Sequence, residues 1–217
     1  MHDPIPFYLT PIKLLVLATC VHGVAFLRGK DKMHRLLLLI LVVGSVNEMV
    51  TSSLRFCLLD KYVPLAVSID VIFFDVFWLM LLYRLCGWKR YGYWIIGFFA
   101  AFALANLFFF EGTVKLNFTT FIVGALLYIT SLIVESYRRL KDEQYNFFTS
   151  NNYIVLFSPV TLLLGMSFVF AFYSHEVTMV IPFGGINLWS FVSTYANIIY
   201  YVLINIYIYR ERKARHG

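Results

Sequence analysis

The chain has 217 residues, of which 60% are hydrophobic and 14% charged, with a mean hydropathy of +0.75. Soluble domains carry about 25% charged residues, so this composition excludes an ordinary water-facing surface and makes lipid the solvent of much of the chain. The net charge of +6 does not describe a nucleic-acid face, because the basic residues come in short clusters between apolar runs rather than in one patch.

A helix needs about 20 apolar residues to cross the hydrocarbon, and seven runs reach that length. The first, about 8–27, carries Pro11 and Lys13 near its start and is followed by RGKDKMHR with no small-x-small cleavage site, so it reads as a retained span. Its His22 reads as a hydrogen-bonded packing residue. The second, 36–59, contains GSVNEMVTSSLRF, in which Gly44, Ser45, Glu48, Thr51, Ser52 and Arg55 recur at helical spacing and form one small, polar face. The third, 63–86, places Ser68 and Asp75 seven residues apart on one face, with Asp70 off that face and nearer the outer end.

The fourth run, 91–110, holds FFAAF and LFFF and little polarity beyond Asn106, which suits a lipid-exposed position. The fifth, 114–136, aligns Asn117, Thr120, Gly124, Ser131 and Glu135 on one stripe. Residues 137–153 are amphipathic enough to continue that helix and then lie at the interface. The sixth, 154–173, has Ser158-Pro159 early and Thr161, Gly165 and Ser167 beyond. Segment 174–187, with His175, Glu176, Pro182, Gly184 and Gly185, is a connector or a loop over the outer mouth. The seventh, 186–209, repeats polar residues at Ser190, Thr194, Asn197, Tyr201 and Asn205. The expected fold is therefore all-α: one domain over 1–217, a bundle of seven transmembrane helices with a polar lining from spans two, three, five and seven.

The loops after spans one, three and five and the tail together hold 14 of the 18 Lys and Arg. The opposite side keeps Lys13, Arg55, Lys61 and Lys115. Cytoplasmic loops carry the excess of basic residues, so the N-terminus is expected outside and the C-terminus in the cytoplasm, in a bacterial inner membrane. Cys20, Cys57 and Cys86 lie within or at the ends of apolar runs and show no metal or disulfide spacing.

Charged side chains inside a span are costly and face the bundle interior or a wet cavity. Counted from the outer ends of their helices, Glu48 and Asp75 both lie about 15 Å deep, and Arg55 and Asp70 both lie in the outer half, within reach of an ion pair. Two carboxylates close together in a low dielectric do not readily both ionise, so Glu48 and Asp75 are expected to share a proton. The alternative is that each is a neutral donor stapling helices, a contact worth about 0.6–2 kcal/mol. Glu48, Asp75, Arg55, Asp70, Asn197 and Tyr201 are the candidate ligand or proton-site residues.

No HExxH, paired Cys, GxSxG or glycine-rich phosphate loop is present, so neither a metal, a cofactor nor a catalytic constellation is indicated. Seven helices with the N-terminus outside are similar in architecture to the heptahelical receptors and retinal proteins. The residues differ: span seven has no Schiff-base lysine, and LLYRLCGWKR and NIYIYRERK stand where those receptors carry Asp-Arg-Tyr and Asn-Pro-x-x-Tyr. With its acidic span two (NEMV), aromatic span three (DVIFFDVFWLMLLYRL), NFTTFIVGALLYI in span five and a basic stop after span seven, the chain resembles small bacterial seven-helix membrane proteins of unassigned function. The resemblance implies a fold and no set activity. The expected function is that of a non-enzymatic sensor or signalling protein. It would bind a ligand or proton in its polar interior and pass the change to a cytoplasmic or membrane signalling partner. The alternatives are a small transporter or channel subunit for protons, cations or a small solute and, behind it, a membrane enzyme acting on lipids.

Overall fold

A computed structural model describes residues 10–27, 31–172, 180–181 and 187–216. The described residues are helical throughout their regular structure. Helix α1 spans Pro11–Phe26, α2 Lys32–Phe56, α3 Val63–Leu85 and α4 Lys89–Ala105, the last continued by a π-helical stretch, Asn106–Phe110. Helix α5 spans Phe118–Lys141, α6 is the single turn Asn146–Thr149, α7 spans Asn151–Ala171 and α8 Leu188–His216. Six helices are long and apolar enough to cross a bilayer, and α1 is a shorter apolar helix. These are the helices of an integral membrane protein. At 1.5 Å per residue the 16 residues of α1 measure about 24 Å, short of the ~30 Å hydrocarbon core.

Local chemistry sets the boundaries. Thr10 caps α1 by accepting the Lys13 N–H at 3.4 Å, with Pro11 in the first turn, where its missing N–H costs nothing. Asp31 caps α2 through the Met33 N–H at 2.8 Å, so α2 begins at Lys32, before the apolar run itself. It ends at Phe56, three residues earlier than hydropathy places it, followed by a turn in which Leu58 takes φ 57°. Helix α5 starts at Phe118 and runs on to Lys141, taking Arg138, Arg139 and Lys141 into its last turn, where cations face the negative end of the helix dipole. The continuation of helix five expected from sequence is therefore present, but it is short. Only one further turn, α6, precedes α7, which Ser150 caps. Gly87, at φ +77°, makes the tight α3–α4 turn, a conformation that other residues adopt only with strain.

The helices α1, α2, α3, α5, α7 and α8 pack in that order, and α8 returns to α1, so the six close a ring. Helix α4 lies outside it, mainly against α3, and exposes Tyr91, Trp94, Phe98 and Phe108 to Phe110. That is the lipid-facing position its sequence suited. Trp78 of α3 is fully buried at the centre, edge-on to Tyr128 of α5 and Tyr200 of α8 with ring centroids 6.2 and 6.0 Å away. The Tyr128 hydroxyl donates to the Leu156 carbonyl at 2.7 Å and ties α5 to α7.

Candidate functional site

Above this aromatic layer the ring encloses a cavity of about 380 Å³. Phe74 and Tyr200 form its floor. Leu162, Met166 and Phe170 of α7 make one apolar wall. The other wall is polar: Lys13 from α1, Asn47, Glu48 and Arg55 from α2, Asp70 from α3, Asn197 and Tyr201 from α8. Five of the six residues singled out in the sequence thus meet in one place.

Within the cavity, Lys13 Nζ lies 3.7 Å from Glu48 Oε2 and donates to Ser52 Oγ at 2.6 Å. Ser52 in turn donates to the Glu48 carbonyl at 2.6 Å. Asn47 Nδ2 donates to Asp70 Oδ2 at 3.0 Å, and Asn197 Nδ2 to the Ser193 carbonyl at 2.8 Å. Lys13, Glu48, Asp70, Asn197 and Tyr201 are half-buried, whereas Arg55 is exposed toward the C-terminal end of α2. Two carboxylates, two cations and two amides therefore face one small volume. Such a set suits a small solute that carries charge of either sign, because each charge finds an opposite partner in a partly sheltered volume. Among the described residues no group of three or more His, Cys, Asp or Glu is placed to hold a metal.

Asp75 is not part of this cavity. It is 2% exposed and sits between α3 and α5 against Gly124, with Oδ2 lacking a hydrogen-bond partner. The expected Glu48–Asp75 level fails because α2 ends at Phe56. Glu48 is then eight residues from the end of its helix, level with Asp70, seven residues into α3, and not with Asp75, twelve residues in. Nor is the expected Arg55–Asp70 ion pair among those of the described residues, since Asp70 accepts from Asn47. Lys13 and Asn47 are the site residues the sequence reading missed. Lys13 reads from sequence as a topology charge although it lies in the first turn of an apolar helix, and Asn47 stands beside the more conspicuous Glu48.

The polar stripe of α5 does not line the cavity either; it faces α3 and α4. The Asn117 backbone N–H donates to Ser68 Oγ at 3.1 Å, and Asn106 Nδ2 bonds both the Asn117 side chain and Thr120 Oγ1. Ser131 shares a hydrogen bond with the Tyr83 hydroxyl at 2.9 Å. Glu135, 1% exposed, accepts from Trp88 Nε1 at 3.1 Å, Arg138 at 2.8 Å and Arg139 at 2.7 Å. Asn117-Phe118-Thr119 has the Asn-x-Thr pattern of a glycosylation acceptor, and burial of Asn117 closes it to a glycan. His22 bonds Asn205 at 2.7 Å, and Asn205 donates to Thr19, so that trio joins α1 to α8 as packing. His175 and Glu176 lie outside the described residues.

A second, lipid-side groove of about 350 Å³ runs between α2 and α3, lined by Val42, Val46, Val50, Ile69 and Phe73. Asn47 and Asp70 line it too. Comparison with family models, with curated proteins and with solved structures finds no match to this chain.

Proposed function

We propose that this protein is a non-enzymatic seven-helix membrane sensor of the bacterial inner membrane, with its N-terminus outside, its C-terminus in the cytoplasm and α1 as the seventh span. It binds a small charged solute in the cavity between α1, α2, α3 and α8 and passes the change to a signalling partner through its basic loops and tail. The observation that carries this reading is the meeting of Lys13, Glu48, Asp70 and Arg55 from three helices in one volume. A solute bridging them changes how α1, α2 and α3 sit together, and α2 begins and α3 ends at the basic loops. Transport, the second reading from sequence, draws less support. Its one sequence signal, Ser158-Pro159, lies inside α7 without interrupting the helix, whereas transporters commonly break helices at their sites.

The test uses purified protein and a panel of amino acids and organic ions at millimolar concentration, read as a thermal shift. Stabilisation by one member, lost in Glu48→Gln and Arg55→Gln, supports the binding site. Proton flux in proteoliposomes that Glu48→Gln abolishes, with no member of the panel stabilising the protein, replaces the sensor with a transporter.

A further inference from the structure

A separate cavity of about 300 Å³ lies at the opposite, basic end of the bundle, outside the ring. Lys32, the first residue of α2, and Arg84, in the last turn of α3, stand over it. Trp88, Tyr93, Met80 and Ile96 form its body. The body is built rigidly. The Trp88 ring stacks on Tyr83 with centroids 5.6 Å apart and planes 11° off parallel, and its N–H is held by Glu135. Helix α4 comes this close because residue 92 is glycine: a Cβ there would lie 2.7 Å from the Tyr83 Cβ.

The charge balance is what marks the place. Arg138 and Arg139, nearby in α5, are both taken up by Glu135. Asp31, next to Lys32, is occupied as the cap of α2 and lies 3.9 Å from His34. Lys32 and Arg84 have no carboxylate partner among the described residues. Two unneutralised cations therefore sit over an aromatic and apolar floor, at the helix ends where Trp and Tyr mark the membrane interface. The cavity borders α4, whose Trp94 and Phe98 are exposed just beyond it.

We propose that this cavity holds the phosphodiester headgroup of an anionic phospholipid, with Lys32 and Arg84 on the phosphate oxygens, Trp88 and Tyr93 beside the glycerol, and the acyl chains running along the outer face of α4. Basic pockets between transmembrane helices bind anionic headgroups in this manner. A free phosphate would satisfy the two cations but would leave the floor of Met80 and Ile96 without a partner. The site is independent of the interior cavity, and its failure leaves the sensor reading untouched.

Native mass spectrometry of detergent-purified protein with equimolar phosphatidylglycerol and phosphatidylcholine tests the assignment. Wild type is expected to retain phosphatidylglycerol over phosphatidylcholine by on the order of tenfold, the weight of two interfacial cations. K32Q/R84Q loses that preference, while R84K and, at the other end of the bundle, K115Q keep it. Lys32 and Arg84 are exposed, so their replacement does not endanger folding, and monodisperse elution verifies this. Equal retention of the two lipids, or a preference that survives K32Q/R84Q, overturns the proposal. So does a thermal shift with inorganic phosphate that needs both cations in the absence of any lipid preference, because the site would then be one for free phosphate.

Discussion

Gly124 decides the role of Asp75. A Cβ at position 124 would lie 2.5 Å from Asp75 Cγ, so the carboxyl occupies the space that any other residue in α5 would fill. This keys α3 to α5 at mid-bundle and keeps Asp75 out of the cavity that its neighbour Asp70 lines. Gly124→Ala forces the carboxyl out of this notch, and overpacking of this kind costs about 1–3 kcal/mol. The expected outcome is a clear fall in the detergent melting temperature, and a melting curve like that of wild type would show that Asp75 has room elsewhere. At this scale the sequence was a good guide to polarity and a poor one to partners. Spacing showed that Glu48, Thr51 and Arg55 share a face. Which acid Glu48 stands beside depended on where α2 stops, and the Leu58 turn that ends it at Phe56 leaves no mark in a hydropathy profile.

Helix α5 makes the same point along its length. Its stripe of Asn117, Thr120, Gly124, Ser131 and Glu135 was legible as one face, and the structure keeps it as one face. Periodicity is silent on which neighbour a face meets. Here its members meet α3, the α3–α4 turn or the π-helical stretch after α4, so the stripe serves as polar packing between helices. Its basic end is the tightest part. Glu135 gathers Trp88, Arg138 and Arg139 and so fastens the α3–α4 turn to α5. Removing a buried carboxylate leaves its cations unmatched. Arg138 is about half exposed and Arg139 about a quarter, and water then repays part of the loss. Glu135→Ala is expected to cost about 1–3 kcal/mol in denaturant unfolding. Glu48→Gln, whose carboxylate is about a third exposed and 3.7 Å from its cation, should cost no more than about 1 kcal/mol. Equal losses from the two substitutions would contradict this ranking.

Across the whole molecule, the apolar helices and their order were plain from sequence, six of them long enough to cross a bilayer where seven spans were expected and α1 shorter, because crossing hydrocarbon demands length and hydropathy, and both can be read directly. The exposed position of α4 was plain for the same reason, since FFAAF and LFFF offer nothing to a polar interior. The ring closed by α1 and α8 was not, because hydropathy holds no information on lateral order. The proposed orientation has a built-in reporter. Cys57 is exposed at the end of α2, whereas Cys86 is buried and Cys20 is half-buried within α1. A membrane-impermeant maleimide is expected to label intact cells once, at Cys57, and Cys57→Ser removes the label. Labelling of inverted vesicles alone would reverse the orientation.

The contact between Asn47 and Asp70 has a consequence for this bundle as a dielectric object. The same two side chains line the charged cavity on one side and the valine-lined groove on the other. Between α2 and α3 the insulation is thus not a helix thick but a single amide–carboxylate contact of 3.0 Å. The valine-lined groove and the charged interior share a wall one hydrogen bond wide, and the field of the cavity's charged groups reaches the groove there with less shielding than anywhere a whole helix intervenes.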